Sequence, residues 1–316
     1  MTLHHYGPDH PEITYVPHAF GEHTYDTGEV RLNYAVTGSA DAPPLLLVPG
    51  QTESWWGYEP VLPRLGEHFR TYAVDLRGQG RSSRTPGRYT LDNMGNDLVR
   101  FITGVIGRPV IVSGLSSGGV LAAWLSAYAP PGLVRAAHYE DPPLFASEVS
   151  PSCGPSIRQS IGPMFRLYST YLGDQWKVGD WDGMRAAGAR ELPGWMAEWI
   201  PEEPPQNMKE YDPEWARAFW TGTVGASCDH ARMLAAVKTP VLFTHHGRYI
   251  DAGGWLIGAS SDLQAARVRA LITAAGQPCT YRSFPESGHS LHGENPELFT
   301  ETLVGWAADA VQDRSP

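Results

Sequence analysis

Short runs of almost unbroken apolar residues punctuate the chain, and between them apolar residues recur every three or four positions. Pro44–Gly50 (PLLLVPG) is nearly all apolar and stops at a glycine, as a strand buried on both faces does. Arg70–Asp75 (RTYAVD), Pro109–Gly114 (PVIVSG), Val134–Glu140 (VRAAHYE) and Pro240–Thr244 (PVLFT) read the same way. Thr280–Phe284 is a last strand-like run. Glu29–Thr37 (EVRLNYAVT) instead alternates apolar and polar residues, the mark of a half-buried strand. Leu91–Val105, Gly118–Tyr128 and Asn295–Val311 carry the helical period. Strands alternating with helices predict an α/β fold, with a mostly parallel sheet covered on both faces.

The alternation breaks from about Phe145 to about Ala235, where helical pieces occur without a clear strand. Six of the eleven tryptophans fall there: Trp176, Trp181, Trp195, Trp199, Trp215 and Trp220. The pattern therefore predicts a core over residues 22–144 and 236–316, a helical cap inserted at 145–235, and an irregular N-terminal arm over 1–21. Buried aromatics usually serve packing, but of a group this size one or two are expected to face a pocket between cap and sheet.

Composition narrows the function. Of 316 residues 42% are hydrophobic and 18% charged, which is globular rather than disordered. A formal net charge of −10 disfavours nucleic acid and anionic membrane as partners. Three cysteines (Cys153, Cys228 and Cys279), with no Cys-x-x-Cys pair, predict neither a disulfide framework nor a zinc site, and no metal or cofactor is expected. The first residues, MTLHHYGPDHPEI, contain no apolar run, and no stretch approaches the roughly 18 apolar residues of a membrane span. The expectation is a cytoplasmic protein with a small-molecule substrate; whether it forms a homo-oligomer is left open.

The chemistry centres on Gly114-Leu115-Ser116-Ser117-Gly118, a G-x-S-x-G sequence between a strand and a helix. So tight a turn leaves room only for small residues beside the serine, and it lifts the hydroxyl above the sheet edge. Ser116 is the candidate nucleophile. A serine hydroxyl needs a general base, normally histidine. His289, directly after Gly288 on the loop past the last strand, is favoured, with His292 its rival. The imidazole needs a carboxylate to orient it. Glu140 ends its strand on the carboxyl edge of the sheet and is the first choice; Asp251 is the second. Asp141, beside Glu140, is read as a helix-capping residue before Pro142. The backbone N–H of Ser117 and that of Gln51, on the loop after Pro44–Gly50, are the candidate oxyanion donors.

Three segments together, VPGQ near Gly50, Asp75–Ser83 (DLRGQGRSS) and Ser113–Gly119 (SGLSSGG), resemble the α/β-hydrolase family over residues 22–143 and 236–312. The resemblance implies an eight-stranded, mostly parallel sheet. Two departures stand out: Pro49-Gly50 replaces the family's usual His-Gly, and Asp251 follows Gly247 one position late. In these respects the chain is similar to the zearalenone lactonases, which open a macrocyclic resorcylic lactone. Val48-Pro49, the Gly114–Gly118 elbow and His138-Tyr139-Glu140 match that branch. The likeness implies a Ser116, His289, Glu140 triad, donors at Gln51 and Ser117, and a cap tryptophan against the substrate. The expected function is serine hydrolysis of a bulky hydrophobic ester or lactone through an acyl-enzyme. A generic carboxylesterase, a carbon–carbon bond hydrolase and a hydrolase-like small-molecule receptor are the alternatives.

Overall fold

The computed structural model describes residues 16–146, 157–174 and 179–312. Its strands are β1 (Glu22–Asp26), β2 (Arg31–Thr37), β3 (Pro44–Val48), β4 (Arg70–Val74), β5 (Val110–Leu115), β6 (Val134–Glu140), β7 (Val241–His245), β8 (Tyr249–Ile250), β9 (Leu256–Ile257) and β10 (Cys279–Ser283). Eight of them form one sheet in the order β1-β2-β4-β3-β5-β6-β7-β10. Every pairing from β4 through β10 is parallel, whereas β1–β2 and β2–β4 are antiparallel.

The apolar runs became the central strands. Every residue of β3, β5 and β7 is buried, because helices cover both faces of a parallel sheet. The helix Ser117–Tyr128 is buried along nearly its whole length. The helix Leu91–Phe101 begins where Thr90 Oγ1 accepts the Asn93 N–H, and its extension ends at Gly107 with φ 66°. Two strands escaped the pattern. β1 carries a single apolar residue, Tyr25, in EHTYD, since it needs to cover only an edge. β8 and β9 are two-residue strands of a separate hairpin.

Between β6 and β7 the described residues form helices and turns, including the helices Gly162–Tyr171, Trp181–Glu191 and Pro213–Thr221. Among the described residues no helix is long and apolar enough to cross a membrane. Trp176 and Cys153 lie outside the described residues.

Parallel strands send all their carboxyl ends to one edge. Leu115 pairs with Glu140, Glu140 with Thr244, and His245 with Ser283. Loops leaving this edge carry the candidate chemistry, as open α/β sheets dictate.

Candidate active site

Ser116 sits at φ 55° and ψ −121°, outside the regions that an L-residue occupies freely. Such strain costs on the order of 1–3 kcal/mol and persists only where the surroundings enforce it. Here they do. The Ser116 N–H donates to the Glu140 carbonyl at 2.8 Å, and the Ser116 carbonyl accepts the Val120 N–H at 3.1 Å. Both flanking glycines are sterically required. A Cβ on Gly114 would lie 2.1 Å from the Gly118 carbonyl oxygen, and one on Gly118 would lie 2.2 Å from the Val48 carbonyl oxygen.

His289 meets an acid, but not the expected one. Its Nδ1 donates to Asp141 Oδ2 at 2.6 Å. Asp141 is the first residue after β6 and adopts φ 41°. Its Oδ1 accepts the His246 N–H at 3.1 Å, and its own N–H donates to the Thr244 carbonyl at 2.9 Å. Asp141 therefore orients the imidazole instead of capping a helix. Glu140, the first choice from sequence, is fully buried and turned to the other histidine. It accepts the His292 N–H at 3.1 Å and the His292 Nδ1–H at 3.0 Å. The reason is local geometry. Glu140 is the last residue to follow the strand's alternation, and the left-handed turn at Asp141 swings the next side chain toward the cavity. Asp251 is further off: in the β8–β9 turn its Oδ1 accepts the N–H groups of Gly253 and Trp255 at 2.9 and 2.8 Å.

His292, the rival base, lies inside the protein. Its ring stacks on Tyr58 at 4.0 Å, and the Tyr58 hydroxyl donates to the Val48 carbonyl at 2.9 Å. His246 supports the base loop, donating from Nδ1 to the carbonyls of Gly288 and His289 at 3.1 and 2.9 Å. No signal in the sequence marked His246; it became legible only when β7 and the loop past β10 were brought together.

The charges of the pair follow from its setting. Burial opposes the imidazolium of His289, but the hydrogen bond and charge of Asp141, with Glu53 and Glu140 behind it, outweigh burial and hold His289 above its ordinary value. Burial likewise opposes the Asp141 carboxylate, and the bond to His289 overcomes it, so Asp141 stays below the usual range.

The motif Asp75–Ser83 shapes the loop after β3. Gln79 Nε2 donates to the carbonyls of Gly50 and Glu53 at 3.0 and 2.6 Å, and its Oε1 accepts the Thr52 N–H at 3.0 Å. Asp75 accepts the Trp55 N–H at 2.7 Å. No hydrogen bond within the described residues engages the N–H of Gln51 or of Ser117. Two free donors, one on each side of Ser116, are what a developing oxyanion needs. The Gln51 side chain donates to the Tyr211 hydroxyl at 2.6 Å, tying this loop to the helical segment above.

Ser116, Ser117, Gln51, Asp141 and His289 all line one cavity of about 550 Å³. Its other wall is aromatic and apolar, with Met164, Phe165, Tyr168, Trp195, Trp199 and Phe219. Trp195 and Trp199 are thus the two tryptophans of the helical segment that face it. Trp215 is fully buried beside Tyr89 and Tyr211, and Trp181 is packed in the core. Within the described residues no cluster of His, Cys, Asp or Glu has the arrangement of a metal site.

A family model described as the alpha/beta hydrolase family matches residues 45–302. The N-formylmaleamate deformylase of Pseudomonas putida is 30% identical over 228 residues, covering 69% of this chain and 74% of that protein. The bifunctional epoxide hydrolase 2 of Sus scrofa is 32% identical over 139 residues, 43% of this chain but only 24% of that protein. The first three curated relatives are matched over 24–40% of their own length. Among solved structures, the enol-lactonase from Burkholderia xenovorans LB400 superposes with a TM-score of 0.63 at 18% identity, over 90% of this chain and 100% of that one. At that identity the likeness speaks to the fold: a mostly parallel eight-stranded sheet flanked by helices.

Proposed function

Because the chain belongs to the alpha/beta hydrolase family, we propose that it is a serine hydrolase acting on an ester or lactone, with Ser116 as nucleophile, His289 as base and Asp141 as orienting acid. The observation that carries this reading is the 2.6 Å contact between His289 Nδ1 and Asp141, with the free Nε2 edge left to the cavity that Ser116 shares. Ser116 Oγ adds to the carbonyl carbon while its proton passes to His289 Nε2. The N–H groups of Gln51 and Ser117 hold the oxyanion. Collapse expels the alcohol, which takes the proton from His289, and leaves an acyl group on Ser116. Water then repeats the sequence and releases a carboxylic acid.

The substrate is a bulky, hydrophobic one, a lactone of the zearalenone type. An aromatic wall of six residues suits a large ring better than a short polar ester. Relatives bearing the names epoxide hydrolase, enol-lactonase and deformylase span several chemistries. The hydroxyl nucleophile favours acyl transfer here, because epoxide-cleaving members of the fold attack with an aspartate. A panel of macrolactones and p-nitrophenyl esters, with Ser116→Ala as control, tests the reading. Labelling of Ser116 by a fluorophosphonate and turnover of a macrolactone are expected. Turnover of simple esters alone would leave only the esterase, and turnover that survives in Ser116→Ala would remove the nucleophile.

A further inference from the structure

One carboxyl group in the reaction cavity has no part in the triad. Glu53 lies on the loop after β3, two residues past Gln51, and lines the same cavity as Ser116 and His289. Its Oε2 accepts the Gly50 N–H at 3.1 Å. Gly50 is the contact point with the nucleophile: a Cβ built there would lie 3.3 Å from both Glu53 Oε2 and Ser116 Cβ. Glu53 is thus held beside the nucleophile by the oxyanion loop's own backbone. No hydrogen bond within the described residues engages its second oxygen, Oε1.

The groups around it are His289, His292 and Glu140. Burial raises the Glu53 carboxyl above its ordinary range, the two histidines and the Gly50 N–H oppose that, and Glu140 adds to it. The reciprocal effect reaches the base, since Glu53 favours the imidazolium of His289. A carboxyl so placed, pinned by one oxygen and open at the other, has the features of a group that receives a hydrogen from something bound between it and the histidine.

We propose that Glu53 is a further catalytic residue, whose Oε1 holds the water that hydrolyses the acyl-enzyme. This rests on the serine-hydrolase reading above. In deacylation the water oxygen adds to the acyl carbon and one water proton passes to His289 Nε2. Glu53 Oε1 accepts the hydrogen bond of the other water O–H and keeps that proton on the water oxygen. Collapse of the tetrahedral anion breaks the bond from the acyl carbon to Ser116 Oγ, and the proton on His289 returns to Oγ. Acylation needs no water, so it proceeds without Glu53.

The test is Glu53→Gln, which keeps an acceptor for the Gly50 N–H, assayed with p-nitrophenyl butyrate. Labelling by fluorophosphonate at the wild-type rate shows that nucleophile and fold are intact. The expected result is a preserved burst of p-nitrophenol with a steady-state rate lower by about 10- to 100-fold, the lower part of the range for a lost acid–base group. Intact mass is expected to show butyryl-Ser116 accumulating, and hydroxylamine, a nucleophile that needs little help from a base, is expected to release it as the hydroxamate. An unchanged steady-state rate, or a burst that falls together with it, would overturn the role of Glu53. If Glu53→Gln labels poorly, Glu53→Asp is expected to label normally and to fall between the two in steady-state rate; a wild-type rate in it overturns the proposal as well. A wild-type protein that neither labels nor turns over would overturn the serine-hydrolase reading itself, and the Glu53 role with it.

Discussion

At the scale of single residues the site turns on two adjacent carboxylates with different duties. Asp141 serves the histidine that faces the cavity, and Glu140 serves one that does not. Asp141→Asn is expected to lower kcat by about 10³–10⁴, as loss of the orienting carboxylate does elsewhere. It also carries a signature in pH. The base acts when neutral, so kcat/KM rises with pH through the His289 titration. Asp141 holds that titration above the ordinary histidine value, so its removal moves the acid limb to lower pH while the plateau falls. A pH profile of the variant checks both shifts at once. Glu140→Ala leaves a buried imidazole without its partner, a loss of about 3–5 kcal/mol for a broken buried pair. Its expected effect is a lower Tm, with kcat of the folded fraction within about tenfold of wild type. Thermal melts beside active-site titration separate the two.

At the scale of elements, β3, β5, β6 and β7 were legible because both their faces are buried, and the apolar runs say so directly. β1 was not legible, because an edge strand carrying only Tyr25 leaves no alternation to read. The G-x-S-x-G turn could be recognised, as its glycines answer to contacts that any such turn must make. The acid was misread by one residue for a physical reason: the direction of a side chain at a strand's end depends on the next φ angle, and at Asp141 that angle is 41°. Nothing in the sequence His138-Tyr139-Glu140-Asp141-Pro142 announces a left-handed turn. The elbow itself is expected to tolerate no methyl group. Gly118→Ala would force the new Cβ within 2.2 Å of the Val48 carbonyl, so displacement of the oxyanion loop and loss of activity are expected even in the protein that folds. Circular dichroism together with fluorophosphonate labelling measures each.

At the scale of the whole molecule, an alpha/beta hydrolase core supplies the reacting groups and a helical segment supplies the wall that faces them. Trp195 and Trp199 belong to that wall, and Trp199 is 54% exposed, so it stands at the rim. Trp199→Ala is expected to raise KM for a macrolactone by about tenfold, about 1.4 kcal/mol of lost apolar contact, and to leave KM for p-nitrophenyl acetate within twofold. Equal changes for both substrates would assign Trp199 to folding rather than to selection.

The place where the helical segment joins the core has a consequence for how such proteins diversify. It departs just past Asp141 and returns on β7, and both junctions are fastened at that point. The Asp141 N–H is bound to Thr244, and the Asp141 carboxylate to the His246 backbone. The graft points of the insertion are therefore the catalytic acid's own anchors. Lineages can lengthen, shorten or exchange what lies between them, and so acquire new selectivity, while the geometry at His289 is inherited unchanged.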